Sequence, residues 1–136
     1  MTRMYQAYRD IYFTARDGLR LYGRQYPAAF HDGTERRPVL CLAGLTRNGR
    51  DFHVIAEALS QHGEAPRDVY TLDSRGRGLS ENDPDWRNYT VPLETMDVLD
   101  FMTVTGIGGA AILGTSRGGL IAMVMAALQP RSLGPV

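Results

Sequence analysis

Cysteine and histidine are scarce in this 136-residue chain, and their scarcity removes several functions at once. The single cysteine, Cys41, excludes an internal disulfide and a cysteine-based zinc site. Three scattered histidines, His31, His53 and His62, do not resemble a metal cluster. An excess of charge is also lacking. Fifteen basic and fifteen acidic residues cancel, which leaves no broad attraction to nucleic acid or to an anionic membrane. The longest apolar run, residues 118–128, is too short to span a bilayer. The opening Met1–Gln6 carries no apolar stretch of the signal-peptide kind, so a cytoplasmic protein is the expectation. What remains is ordinary: 43% hydrophobic and 22% charged residues suit one globular domain, 1–136, with a real core.

The chain alternates strand and helix signals. Ile11–Thr14 and Leu19–Tyr26 flank an Asp17-Gly18 turn and read as a β-hairpin. Residues 27–37 read as a loop, and His31 within it as a solvated residue. Pro38–Leu42 is a continuous apolar run, the mark of a buried parallel strand, with Cys41 as a small core residue. Phe52, Ile55, Ala56 and Leu59 fall on one face of a helix, with His53 and His62 expected in solvent. Asp68–Leu72 is the next strand. A helix starts at Thr90, Pro92 and Glu94, turns Val91, Thr95, Val98, Leu99 and Met102 inward, and ends at Gly106.

The last strand is the informative one. Ala110–Leu113 is apolar and runs into Gly114-Thr115-Ser116-Arg117-Gly118, and an apolar helix follows. A serine where a strand turns sharply into a helix has a strained backbone and an outward hydroxyl. Glycines flank it because side chains there would strike the neighbouring strand or the turning helix. The helix N-terminus aims free N–H groups at any negative charge that develops nearby. The plainer alternative is a glycine-rich turn whose serine caps the helix. A hairpin followed by βαβαβα predicts a mostly parallel sheet covered on both faces, with ligands at the carboxyl ends of its strands.

In that order the chain resembles the amino-terminal half of an α/β-hydrolase, over nearly its whole length. Leu42-Ala43-Gly44-Leu45 resembles the family's oxyanion-hole loop. Asp73-Ser74-Arg75-Gly76-Arg77-Gly78-Leu79-Ser80 resembles the turn that often follows the fourth strand. Gly114-Thr115-Ser116-Arg117-Gly118 resembles the nucleophile elbow. The resemblance implies Ser116 as nucleophile, with the backbone N–H groups of Leu45 and Arg117 holding the oxyanion. Ala43 stands where many relatives have histidine, a change a backbone donor tolerates. Asp73 belongs by resemblance to a structural turn, and Arg75 and Arg77 brace that loop or face solvent. A serine at the elbow argues against dehalogenases and epoxide hydrolases, which use aspartate there. The implied substrate is a small molecule with a carboxylic ester bond, and the resemblance implies no metal or organic cofactor.

What the family pattern also requires is a triad acid and a histidine after the serine, and no Asp, Glu or His follows Ser116. The later strands are likewise missing, and residues 133–136 resemble the approach to the next one. Two expectations follow. The chain alone is catalytically crippled, and its serine strand is an uncovered sheet edge open to self-association. Two alternatives stand beside the enzyme. One is a truncated, non-catalytic hydrolase that acts as a binding module. The other is a dinucleotide-binding protein, because residues 106–111 match Gly-x-Gly-x-x-Ala, although that motif should open a helix and here precedes a strand.

Overall fold

A computed structural model describes residues 6–134. The first five residues and Pro135–Val136, which belong to the terminal stretches considered above, lie outside the described residues. The Asp17-Gly18 turn is real. Gly18 takes a positive φ of 93° and its N–H reaches the Ala15 carbonyl at 2.9 Å. That turn joins β1 (Arg9–Thr14) to β2 (Arg20–Tyr26) as an antiparallel pair. β2 then pairs antiparallel with β4 (Val69–Asp73). β3 (Val39–Leu42) lies parallel to β4 on one side and to β5 (Ala111–Gly114) on the other. The order is β1-β2-β4-β3-β5, so the sheet is mixed, two antiparallel pairings followed by two parallel ones.

The period-2 alternation of strands splits the core in two. Leu40, Leu42, Tyr70 and Leu72 turn to one face, where Val98, Phe101 and Met102 of α2 (Val91–Thr105) meet them. Ile121 and Met125 of α3 (Arg117–Leu128) pack on the same face. Val39, Cys41 and Val69 turn to the other face, against Phe52 and against Ala56 of α1 (His53–Gln61). Fully burying each such aliphatic side chain is worth about 1.5–3 kcal/mol. Burial also pushes the Cys41 thiol up to about 12, which keeps it protonated and inert.

Two inward faces differ from the sequence reading. At α1 the row of Phe52, just before the helix, with Ala56 and Ser60 within it is buried toward the sheet, while Ile55 is 43% exposed. That row follows i, i+4 spacing, and in a helix this short it places Ile55 on the rim. Ser60 satisfies its buried hydroxyl on the Glu57 carbonyl at 3.3 Å. In α2 the stripe moves to include Phe101, which is fully buried, while Val91 and Leu99 are only half-buried at the margin. Glu94 and Asp97 are buried too, because each has an arginine to meet. The ends of α2 match expectation. Thr90 accepts from the Leu93 N–H, and Gly106 closes the helix with a φ of 72°. The Gly-x-Gly-x-x-Ala stretch therefore ends a helix and enters β5, the reverse of a dinucleotide loop.

Among the described residues β5 forms one edge of the sheet and β1 the other, and the β5 side chains are half-buried or exposed where those of β3 are buried. Beside β5, Leu133 forms a parallel bridge with Ala110, and the Gly134 N–H reaches the Ala110 carbonyl at 2.9 Å. No helix among the described residues is long and apolar enough to cross a membrane. Nor do these residues hold a group of three or more His, Cys, Asp or Glu that could bind a metal ion.

Candidate active site

Ser116 stands between the end of β5 and the start of α3, and two sets of hydrogen bonds squeeze it there. The Thr115 N–H is tied back to the Leu42 carbonyl at 3.1 Å, still in sheet register. The Gly119 and Leu120 N–H groups already donate to the Ser116 carbonyl at 2.9 and 3.2 Å, in helix register. One residue must make the whole change of direction. Its φ of 51° and ψ of −110° make it the single non-glycine of positive φ among the described residues. Such a conformation costs about 1–3 kcal/mol and persists only where the surroundings impose it.

The flanking glycines are what the surroundings demand. A Cβ on Gly118 would lie 2.1 Å from the Leu42 carbonyl oxygen, inside the neighbouring strand. A Cβ on Gly114 would lie 2.6 Å from the Gly118 carbonyl, inside the turning helix. Ser116 is exposed and its hydroxyl makes no capping hydrogen bond to α3. The capping alternative for this serine therefore does not hold.

Parallel pairing of β3 with β5 sets Leu42 opposite Gly114, which delivers the loop after β3 to the elbow. A Cβ on Gly44 would be 3.8 Å from the Ser116 Cβ and 3.7 Å from the Thr115 carbonyl oxygen. Leu45 follows in the same loop. Among the described residues, neither the Leu45 nor the Arg117 backbone N–H is committed to a hydrogen bond. Ser116 and these two donors thus share one corner of the molecule.

Arginines brace that corner. The Arg77 Nε–H donates to the Leu45 carbonyl at 2.7 Å. The Arg117 guanidinium pairs with the Glu94 carboxylate, which is 5% exposed, and reaches the Tyr89 carbonyl at 3.4 Å. The Glu94 bond raises the Arg117 pKa above its ordinary value. A cavity of about 310 Å³ opens between Gly44, Leu45, Arg77, Tyr89, Glu94 and Arg117. Glu94, read from sequence only as a residue of the helix start, is a partner of the residue after the serine. Nothing local in the sequence signals a pair separated by 23 positions.

The other candidates fall elsewhere. Asp73 is buried, and its two carboxylate oxygens accept the Gly49 and Leu79 N–H groups at 2.7 and 3.0 Å, a turn-building role. Arg75 does not face solvent. It is 1% exposed and binds Asp97, Asp83 and Asp17 at 2.6, 2.7 and 2.8 Å. His53 is not a merely solvated helix residue either. It shares a 2.9 Å hydrogen bond with the buried Tyr26 hydroxyl and lies 3.3 Å from Glu57. His31 and His62 are exposed. No hydrogen bond joins any of the three to Ser116.

Comparison with known proteins identifies the fold. The family model described as the alpha/beta hydrolase fold matches residues 37–133. A 3-hydroxybutyrate-oligomer hydrolase of Cupriavidus necator is 37% identical over 107 residues, covering 76% of this chain and 35% of that protein. An sn-1-specific diacylglycerol lipase of Danio rerio is 34% identical over 93 residues, covering 68% of this chain and 28% of its own length. The crystal structure of an α/β hydrolase from Novosphingobium aromaticivorans superposes with a TM-score of 0.84 at 37% identity. That superposition covers 96% of this chain and 43% of the other. The chain therefore spans about a third of the curated relatives it matches. Strand order, elbow and matched residues converge on one conclusion: this chain belongs to the α/β-hydrolase fold family.

Proposed function

We propose that residues 1–136 form the nucleophile-bearing part of one serine hydrolase domain acting on a small carboxylic ester. The observation that carries this reading is Ser116 itself: positive φ, exposed, uncapped, at the N-terminus of α3 and beside Gly44. Ser116 Oγ attacks the ester carbonyl carbon as a base takes the hydroxyl proton. The carbonyl oxygen, now negative, accepts from the Leu45 and Arg117 backbone N–H groups. The alcohol leaves with the proton that the base returns, and water then cleaves the acyl-enzyme by the same steps in reverse. Pre-aimed backbone donors need no reorganisation as charge develops, and each is worth about 10²–10³ in rate.

The base and its orienting acid come, in this reading, from outside these 136 residues, because no acid or histidine follows Ser116 and no histidine is bonded to it. Relatives named as a 3-hydroxybutyrate-oligomer hydrolase and a diacylglycerol lipase favour the ester over other acyl bonds. The same lack of a base favours a second reading, a non-catalytic module that binds through the open β5 edge. Turnover of p-nitrophenyl acetate by the native gene product separates the two. We expect hydrolysis that Ser116→Ala lowers by at least about 10³-fold. Wild-type turnover that survives the substitution contradicts the nucleophile, and no turnover by either form favours the binding module.

A further inference from the structure

We infer that Arg77 is a positioning residue for the oxyanion hole: its guanidinium latches the loop that carries the Leu45 donor. The inference rests on the reading of Ser116 and Leu45 given above. An oxyanion donor works only if its N–H is fixed in direction before charge appears, so whatever fixes the Leu45 peptide sets the rate.

Two peptide planes flank the Leu45 Cα. The plane that carries the Leu45 N–H ends in the Gly44 carbonyl, which accepts from the Arg47 N–H at 3.1 Å within the local turn. The plane on the other side ends in the Leu45 carbonyl, which accepts from Arg77 Nε at 2.7 Å. The first bond is local and travels with the turn. The second reaches 32 residues away and ties the turn to the loop after β4. Packing supplies little else, because the Leu45 side chain is 54% exposed and Thr46 and Arg47 are exposed as well.

The anchor at the other end is firm. Arg77 leaves a loop whose Asp73 carboxylate holds the Leu79 N–H and whose Ser80 N–H reaches back to the Arg77 carbonyl at 3.0 Å. Neighbouring arginines are committed to carboxylates: Arg75 to three aspartates, Arg117 to Glu94, and Arg47 to Asp51. Arg77 forms no ion pair among the described residues. It is half-buried, and its Nε–H is given to one main-chain oxygen. A guanidinium placed in this way acts as a strut between two active-site loops.

The test compares Arg77→Met, Arg77→Lys and Ser116→Ala in the native gene product, with p-nitrophenyl acetate as substrate. Methionine keeps most of the aliphatic stem and removes the donor, whereas lysine restores one. We expect Arg77→Met to lower kcat about 10- to 100-fold with KM within about threefold, since a misplaced group of this kind costs up to about 10². Arg77→Lys should recover most of that loss, and far-ultraviolet circular dichroism should match wild type in both. Should the methionine variant not fold, Arg77→Gln, whose N–H donor sits on a shorter stem, should lose more kcat than Arg77→Lys, and a glutamine variant with wild-type kcat overturns the latch. An unchanged kcat, a rise in KM without a fall in kcat, or a lysine variant no better than methionine overturns the latch. Activity retained by Ser116→Ala instead overturns the reading of the nucleophile, and the latch with it.

Discussion

Arg75 shows how a single buried side chain can hold three separated parts of a fold. It joins the hairpin turn through Asp17, the loop after β4 through Asp83, and α2 through Asp97. Removing the cation would leave Asp83 and Asp97, whose side chains are 7% and 3% exposed, without their counter-charge. Breaking such a pair from one side costs about 3–5 kcal/mol, so Arg75→Met should move the urea midpoint sharply downward. The same cluster predicts a pH effect. The Arg75 hydrogen bond holds the Asp17 carboxyl below its ordinary value. The stability it contributes is complete above the unfolded pKa of about 3.9 and fades as pH falls through the lower folded value. Burial pushes Asp97 the other way, so Asp97 is not the source of that loss. Asp17→Asn should therefore flatten the decline in stability below about pH 4, as followed by urea titrations at stepped pH. At the elbow, Gly118→Ala forces a Cβ to 2.1 Å from the Leu42 carbonyl, a backbone clash no rotamer relieves. It should cost at least about 1–3 kcal/mol, the usual toll of overpacking, and displace Ser116 with it.

Among elements, β5 and α3 leave apolar surface open. β3 and β4 are buried along their whole length, but β5, at one edge of the sheet, keeps Ala111 exposed. α3 turns Ile121 and Met125 inward, yet Leu120, Met123 and Leu128 are 51%, 69% and 53% exposed. An apolar cavity of about 430 Å³ lies along that margin, lined by Ile112, Ala122, Met123 and Ala126 among others. Open strand edges and apolar patches associate in water. Residues 1–136 expressed alone should sediment as concentration-dependent oligomers, and Met123→Glu should shift them toward monomer. A chain that stays monomeric at every concentration without that charge would contradict the prediction.

Taken as a whole, the molecule gathers the loop after β3, the turn after β4 and the elbow after β5 at the carboxyl ends of its parallel strands. These three loops were legible in the sequence because each is marked by glycines and polar residues directly after an apolar run. Gly114 and Gly118 advertise a clash visible only in three dimensions, but the pattern that avoids it is local. The electrostatic bracing was not legible. Asp17, Asp83 and Asp97 lie in a turn, a loop and a helix far apart in sequence, and only the fold reveals that Arg75 serves all of them. His53 misled for the same reason, since its partner Tyr26 lies 27 residues away on β2. Ile55 misled because periodicity alone cannot say which residue of a broad apolar face sits at its rim.

The central claim is that Ser116 is the nucleophile, and covalent labelling tests it without knowledge of the substrate. The native gene product would be treated with a fluorophosphonate, digested, and mapped by tandem mass spectrometry. The account predicts one adduct, on the peptide containing Gly114-Thr115-Ser116-Arg117 and at the serine oxygen, and none in Ser116→Ala. An unlabelled wild-type protein, or an adduct on any other residue, would contradict it.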